Sequence, residues 1–322
     1  MEEINNKQFS KNKRILITGT AGFIGFHLAN LLISRGFIVI GIDGLTDYYD
    51  KKLKKDRHNV LKKNTNFHPY EIMLDDMQKL SKIFREHNPD ILIHLAAQAG
   101  VRYSFENPKS YLEMNIQATF NLLEILKEHH IEHALIASTS SVYGSSKKLP
   151  FKENDKCNSP KSFYAATKLA TENLSHSYSF LYDIPITILR FFTVYGPWGR
   201  PDMALFKFTS SILNDKTIEV YNHGNMKRDF TYIDDLVRAI FLLLKKIPQK
   251  IKHQTNNIKN DSISNIAPWR IVNIGNSMPI ELKSFIKTLE KKLDKTANKK
   301  YLNLQPGDMI ETYSDISLLK KL

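Results

Sequence analysis

Ile15-Leu16-Ile17-Thr18-Gly19-Thr20-Ala21-Gly22-Phe23-Ile24-Gly25 is the stretch whose reading decides the fold. It begins with a short apolar run of the kind that forms a strand buried on both faces. Glycines then recur at G-x-x-G-x-x-G spacing, and Phe23 to Ser34 carries apolar residues at helical intervals. The first glycine permits a tight strand-to-helix turn. The second lets backbone come close to a pyrophosphate, and the third lets helix pack on strand, with the helix N-terminus facing the anion. The stretch therefore reads as a dinucleotide site formed by Gly19, Gly22, Phe23, Ile24 and Gly25.

The same alternation continues outward. Lys13 to Thr18, Phe37 to Asp43, Ile91 to Leu95, Ala134 to Ser138 and Pro185 to Phe192 are strand-like. Tyr111 to Glu128 and Phe163 to Leu181 are helical by periodicity. Alternating elements of this length predict an α/β fold, a Rossmann-like doubly wound parallel sheet with ligands outside the carboxyl ends of its strands. After about Gly196 the rhythm breaks into helices (203–213, 233–245, 280–293) separated by short strands. The expected division is 1–196, mainly a dinucleotide-binding domain, and 197–322, a smaller, discontinuous substrate-binding lobe with segments returning to the sheet. Residues 249–265 are rich in Asn and Lys and read as an exposed, mobile loop.

Composition narrows the class. In 322 residues, 42% are hydrophobic and 25% charged, which is a globular balance. The single cysteine, Cys157, excludes an intramolecular disulfide framework and fits a reducing cytoplasm. No secretory signal or membrane-spanning apolar run is visible, so a cytoplasmic protein without membrane attachment is expected. The net charge of +13 is spread along the chain without basic blocks interleaved with aromatics, which argues against nucleic acid. A positive field instead favours a small polyanionic substrate. No metal site is expected.

Asp43 ends the second strand, 18 residues beyond Gly25. A carboxylate there accepts from the adenosine ribose hydroxyls and repels a 2′-phosphate, so NAD is expected rather than NADP. Asp75 or Asp76 is placed to meet the adenine amino group. Leu95, Ala96 and Ala97 offer small side chains where backbone can pass close to the cofactor. Tyr164 and Lys168 lie one helical turn apart and share a face. A nearby ammonium, together with the positive nicotinamide ring, would favour phenolate and poise the tyrosine as a base for an alcohol proton. Ser138-Thr139-Ser140-Ser141 puts four hydroxyls at a strand end, where one can hydrogen-bond the substrate oxygen and another can cap a turn.

These motifs, with His94-Leu95-Ala96-Ala97, Asn115, Ser141-Val142-Tyr143-Gly144, Arg190-Phe191-Phe192 and 228–235, resemble the extended short-chain dehydrogenase/reductases that act on nucleotide sugars. The resemblance runs from about Arg14 to Asp315. It implies that Thr139, Tyr164 and Lys168 form the catalytic set, that Asn115 lies at the cofactor, and that the protein is a homodimer through the helices near 111–127 and 163–181. Dehydratases of the family carry an Asp-Glu pair where Ser140 and Ser141 stand, and decarboxylases carry Glu in place of Ser141. By elimination the chain is similar to C4 epimerases.

Residues 193–204 resemble the corresponding segment of UDP-glucuronate 4-epimerases. Arg200 offers a planar fork suited to the C5 carboxylate. Thr139, Ser140, Ser141 and Thr193 would help hold that group, and Arg228 and Asp308 would meet the UDP portion. Arg102 is a further candidate at the substrate. The family pattern is broken at Gly44, where Asn is usual, and at Gln305, where galactose-type epimerases carry Arg. The resemblance implies conversion of UDP-glucuronate to UDP-galacturonate through a 4-keto intermediate, with UDP-glucose or UDP-N-acetylglucosamine epimerisation as the alternative.

Overall fold

A computed structural model describes residues 13–250, 258 and 260–322. The chain runs β1 (Arg14–Thr18), α1 (Phe23–Ser34), β2 (Ile38–Asp43), α2 (Lys51–Leu61), β3 (Phe67–Glu71), α3 (Met77–His87) and β4 (Ile91–His94). Then come α4 (Tyr103–Glu106), α5 (Pro108–Tyr111), a π-helical turn (Leu112–Gln117), α6 (Ala118–Leu126), β5 (His133–Thr139), α7 (Phe163–Tyr182) and β6 (Ile186–Phe191). The remainder is β7 (Thr193–Tyr195), α8 (Ala204–Leu213), β8 (Ile218–Val220), β9 (Lys227–Tyr232), α9 (Ile233–Leu243), β10 (Trp269–Ile274), β11 (Pro279–Glu281), α10 (Leu282–Leu293), β12 (Lys299–Tyr301) and α11 (Ser317–Lys321).

Seven parallel strands form the main sheet, in the order β10-β6-β5-β4-β1-β2-β3. The strand order reverses between β1 and β4, so the crevice at their carboxyl ends is the topological switch point. Ile15, Leu16 and Ile17 are fully buried because helices cover both sheet faces. One core layer packs α1 and α9 on the sheet, and the other packs α3 and α6. Two small sheets, β11-β9-β7 and β12-β8, stand beyond the carboxyl edge with α8 and α10. No described helix is long and apolar enough to cross a membrane.

The single helix expected over Tyr111 to Glu128 is broken. Pro108 starts one piece, and the π-helical turn offsets the next. Such turns cluster at functional sites because they redirect side chains, and here the turn holds Asn115. Helices α2 and α3 are additional to the elements expected above: α2 is mostly polar, and α3 buries Leu80, Ile83 and Phe84 at helical spacing. Of the polar stretch 249–265, residues 251–257 and 259 lie outside the described residues. The expectation of a loose loop fails at its far end. Asp261 makes a bidentate ion pair with Arg270 at 2.9 Å, and Ser262 is buried against the Ile271 backbone.

Two buried histidines make the sheet acid-sensitive. His133 Nδ1 lies 3.3 Å from the Leu244 carbonyl and Nε2 2.8 Å from Thr187 Oγ1. His94 lies between Thr18 and Thr119. Burial is the main cause that holds His133 at about 4 and His94 at about 3. Both values lie below the free-histidine value, so between about pH 4 and 6.5 the unfolded chain binds more protons and stability rises with pH. The stability measured by urea unfolding should therefore fall on acidification through that window, with a slope approaching about 2.7 kcal/mol per pH unit for two protons. His133→Gln should halve this component. A slope unchanged by His133→Gln would refute the assignment.

Candidate active site

The cofactor crevice is built by close backbone contact. Gly19 takes φ +83°, and a Cβ there would lie 2.8 Å from Ala96 N. A Cβ on Gly25 would lie 2.1 Å from the Gly19 carbonyl oxygen. Only glycine fits either place. The N-cap of α1 is Gly22, which supplies no side-chain acceptor, and its first turn holds no acid. The N–H groups of that turn are thus left to an anion. Thr18 Oγ1 accepts from Leu95 N (3.2 Å) and Ala96 N (3.1 Å), fixing β1 to the end of β4.

Asp43 accepts from Ala21 N and Leu45 N, both at 2.9 Å. A carboxylate has about four acceptor positions, so two remain for ribose hydroxyls. Gly44 has a local reason: a Cβ there would lie 2.0 Å from Met73 Sδ, so the thioether fills the space of a larger residue. Asp75 is exposed, whereas Asp76 caps α3 by accepting from Lys79 N at 3.1 Å. The Asn115 carboxamide is engaged by protein groups. Its Oδ1 accepts from Gln98 N (2.8 Å), and its Nδ2 donates to the Gln98 carbonyl (3.1 Å) and Thr167 Oγ1 (3.0 Å). With its carboxamide engaged by protein, Asn115 ties the β4 end to α7 and contributes to the crevice by positioning it.

Helix α7 starts at Ser162, whose hydroxyl accepts from Ala165 N at 3.1 Å. That cap sets Tyr164 in the first turn, Lys168 in the next and Glu172 in the third, along one face. Thr139 ends β5 and hydrogen-bonds Tyr164. Its Oγ1 also lies 3.2 Å from Ser141 N, which it caps. Burial raises Tyr164, opposed by the Thr139 hydrogen bond and the charge of Arg200. Lys168 is 2% exposed, and burial lowers it to about 8 against the pull of Glu172. Among the described residues no acceptor lies at hydrogen-bond distance from its ammonium. Hydroxyls of a nucleotide ribose match that need.

Glu172 belongs to a buried network that the sequence reading missed. Arg190 Nε and Nη2 donate to its two oxygens at 3.0 and 2.7 Å, and Ser138 Oγ donates at 2.5 Å. Ser138 is therefore committed below the site, leaving Thr139, Ser140 and Ser141 at the strand end.

An open cleft of about 240 Å³ lies against the small sheets, beside the start of α1. Phe23, Arg102, Thr193, Arg200, Arg228 and Asp308 line it. Arg200 is close enough for its charge to act on Tyr164, yet its fork is not fully free. Its Nε donates to Asp202 Oδ1 at 3.1 Å and its Nη2 to Oδ2. Tyr48 Oη donates to the same Oδ2 at 3.2 Å. Of the five guanidinium N–H groups, two serve Asp202 and three remain. Asp308 is likewise paired, with Arg102 at 3.3 Å, and Arg102 stacks 4.2 Å over the Tyr221 ring. Arg228 Nη1 donates to the Lys227 and Ile310 carbonyls at 2.9 and 3.2 Å. Its neighbour Asp229 faces the other way, accepting from Asn276, Ser277 and Ser314 N at 3.0–3.1 Å.

Residues 15–258 match the sequence profile of the NAD dependent epimerase/dehydratase family. The chain is 51% identical over 303 residues to Protein CapI of Staphylococcus aureus, covering 94% of this chain and 90% of that one. It is 48% identical over 309 residues to a probable UDP-glucuronate 4-epimerase of Rhizobium meliloti (strain 1021), covering 96% and 91%. Among solved structures it is similar to UDP-glucuronic acid 4-epimerase from Bacillus cereus in complex with UDP-glucuronic acid and NAD, with TM-score 0.85, 36% identity, and coverage of 96% and 92%.

Proposed function

The chain belongs to the NAD dependent epimerase/dehydratase family, and from that premise we propose that it interconverts UDP-glucuronate and UDP-galacturonate by inversion at C4. The observation that carries this reading is a guanidinium, Arg200, in the same cleft as Thr193 and within electrostatic reach of the buried phenol of Tyr164. A hexose CH2OH needs no such cation, whereas a sugar acid does. The relatives named for UDP-glucuronate epimerisation span nearly the whole chain.

Gly19, Gly22, Gly25 and Asp43 would hold NAD, with the Lys168 ammonium available to its ribose hydroxyls, and the bound cofactor would supply a reversible hydride acceptor. Tyr164 takes the proton of the C4 hydroxyl and later returns it to the same oxygen. Thr139 hydrogen-bonds Tyr164 and steadies the substrate oxygen. Lys168, poised near 8, adds positive charge beside the phenol when protonated. Arg228 and the Arg102–Asp308 pair hold the UDP end while the sugar turns over.

The 4-keto sugar acid is a β-keto acid and loses carbon dioxide when its C5–C6 bond aligns with the carbonyl π system. Thr139, Ser140, Ser141, Thr193 and Arg200 hold the carboxylate out of that alignment. The absence of acidic residues at 140 and 141 separates this strand end from dehydratases and decarboxylases.

Two copies associate through the α6 and α7 region, where Leu112, Phe120, Phe180 and Leu181 are exposed apolar residues. The single cysteine fits a reducing cytoplasm.

The test is incubation with UDP-glucuronate, UDP-glucose and UDP-N-acetylglucosamine, followed by anomeric-proton NMR. Inversion of the uronate is the expected result. Arg200→Ala should lower kcat/KM for the uronate about ten- to hundredfold, the worth of hydrogen bonds to a charged group. Any turnover of the neutral sugars should be spared. Unchanged uronate activity in this variant would leave the hexose reading in its place.

A further inference from the structure

We propose that Arg57 governs recognition of the substrate's acid group without touching it, by fixing the segment that delivers Arg200. This rests on the uronate reading above. Arg57 lies on α2 and is fully buried. Its Nη1 donates to the Ala21 carbonyl in the glycine turn (2.7 Å) and to Tyr49 Oη (2.8 Å). Its Nη2 donates to the Trp198 carbonyl (2.6 Å) and approaches the Gly199 carbonyl (3.3 Å). All four acceptors are neutral, and Nε has no partner. Burying a cation among neutral oxygens is a costly way to fill a core. What it achieves here is a bridge between the dinucleotide turn and a loop 141 residues beyond Arg57 itself.

That loop needs holding. Trp198 sits at φ +56°, a conformation that side-chain-bearing residues rarely adopt. Besides Arg57, the His27 ring contacts the Pro197 carbonyl at 2.9 Å, and Phe26 packs 5.6 Å from the Trp198 ring. These anchors all come from α1 and α2. Arg200 follows one residue after Gly199, and Tyr48 with Asp202 then fixes its guanidinium. The adjacent tyrosines divide the work: Tyr49 bonds Arg57, and Tyr48 bonds the partner of Arg200. A continuous set of contacts thus runs from Ala21 to the cation that meets the acid.

Arg57 is therefore a positioning residue for specificity. A planar fork spans two segments at once, whereas a lysine ammonium is a point donor that cannot copy that spread. Loosening the loop displaces Arg200 and leaves the nucleotide contacts at Arg228 in place. A neutral sugar is indifferent to this, and a uronate is not. A loosely held carboxylate also swings into alignment more often. The C5–C6 bond then breaks, its electron pair enters the C4 ketone as an enolate, and C5 takes a proton from water as carbon dioxide leaves.

The test uses NAD-loaded full-length protein, Arg57→Lys and Tyr49→Phe. Dissociation constants are measured for UDP-glucuronate, UDP-glucose and UDP, and carbon dioxide is counted per C4 inversion. For Arg57→Lys, the UDP-glucuronate constant should rise ~10-fold with UDP and UDP-glucose within ~2-fold, given the steep cost of a small misplacement. Carbon dioxide per inversion should rise with it. Tyr49→Phe, which removes one acceptor and keeps the guanidinium, should move both readouts the same way by less, and it carries the test if the lysine variant does not fold. Equal weakening of all three ligands, or an unchanged uronate-to-UDP ratio, overturns the proposal. Wild-type protein that fails to invert the uronate would instead sink the reading of function, while the binding ratio still judges Arg57.

Discussion

Tyr164→Phe should lower kcat for UDP-glucuronate about a thousandfold while leaving UDP-glucuronate binding within about twofold. Phenylalanine keeps the ring and its edge contact with Tyr111, 6.0 Å away, so packing is preserved. Only the oxygen that accepts the C4 proton is lost. Thr139 cannot replace it, because a hydroxyl hydrogen-bonded into a turn has no tendency to ionise near neutral pH. The remaining side-chain candidates are no better. Burial pushes Tyr48 up to about 12 and raises Tyr111 further, so neither is a base in the working range. Stopped-assay NMR for turnover and titration calorimetry for binding separate the two effects. Retention of more than about a tenth of wild-type kcat would assign the proton to another group.

Tyr164 itself is raised by burial. Its competence as a base therefore depends on what surrounds it: the Thr139 hydroxyl, the Arg200 charge, and the cationic nicotinamide when bound.

Glu172→Ala should destabilise the fold by about 3–5 kcal/mol, the penalty for stranding one partner of a buried ion pair. Glu172 and Arg190 side chains are 5% and 3% exposed, and the pair is bidentate. Removing the carboxylate leaves a guanidinium, the Ser138 hydroxyl and a void together beneath β5 and β6. Urea unfolding monitored by circular dichroism gives the magnitude. The double change Glu172→Leu with Arg190→Met should recover most of the loss, since apolar groups of similar volume often replace a buried pair without penalty. Failure of the single change to destabilise by even about 1 kcal/mol would show that the pair is not desolvated as the structure has it. The Lys168 readout is separate. Glu172 raises that ammonium, so its loss should move Lys168 below its present value near 8.

Much of the cofactor site was legible in the chain because glycine spacing and a strand-to-helix turn are local geometry. The periodicity of α1 and α7 gave their limits to within a residue, since buried faces repeat at the helical pitch. The polar helix α2 escaped for the converse reason: its buried face is Lys54, Arg57, His58 and Leu61. One signal was present and unused. Of 46 basic residues only ten are arginine, so lysine is the default cation of this chain. Arg57, Arg102, Arg190, Arg200, Arg228 and Arg270 all hydrogen-bond in the cleft or the interior. A planar fork is hard to replace where several acceptors must be met at once.

The sequence by itself determined the alternation of strands and helices, the glycine turn and the shared face of Tyr164 and Lys168, because each depends on residues within a few positions of one another. Tertiary structure alone decided that Asn115 braces backbone, that Arg200 is shared with Asp202 and Tyr48, that Glu172 lies beneath the base, and that Arg57 joins two distant loops. Backbone geometry is set by chain neighbours. The pairing of buried polar groups is set by whichever groups fold into the same enclosed space, and those come from anywhere along the chain.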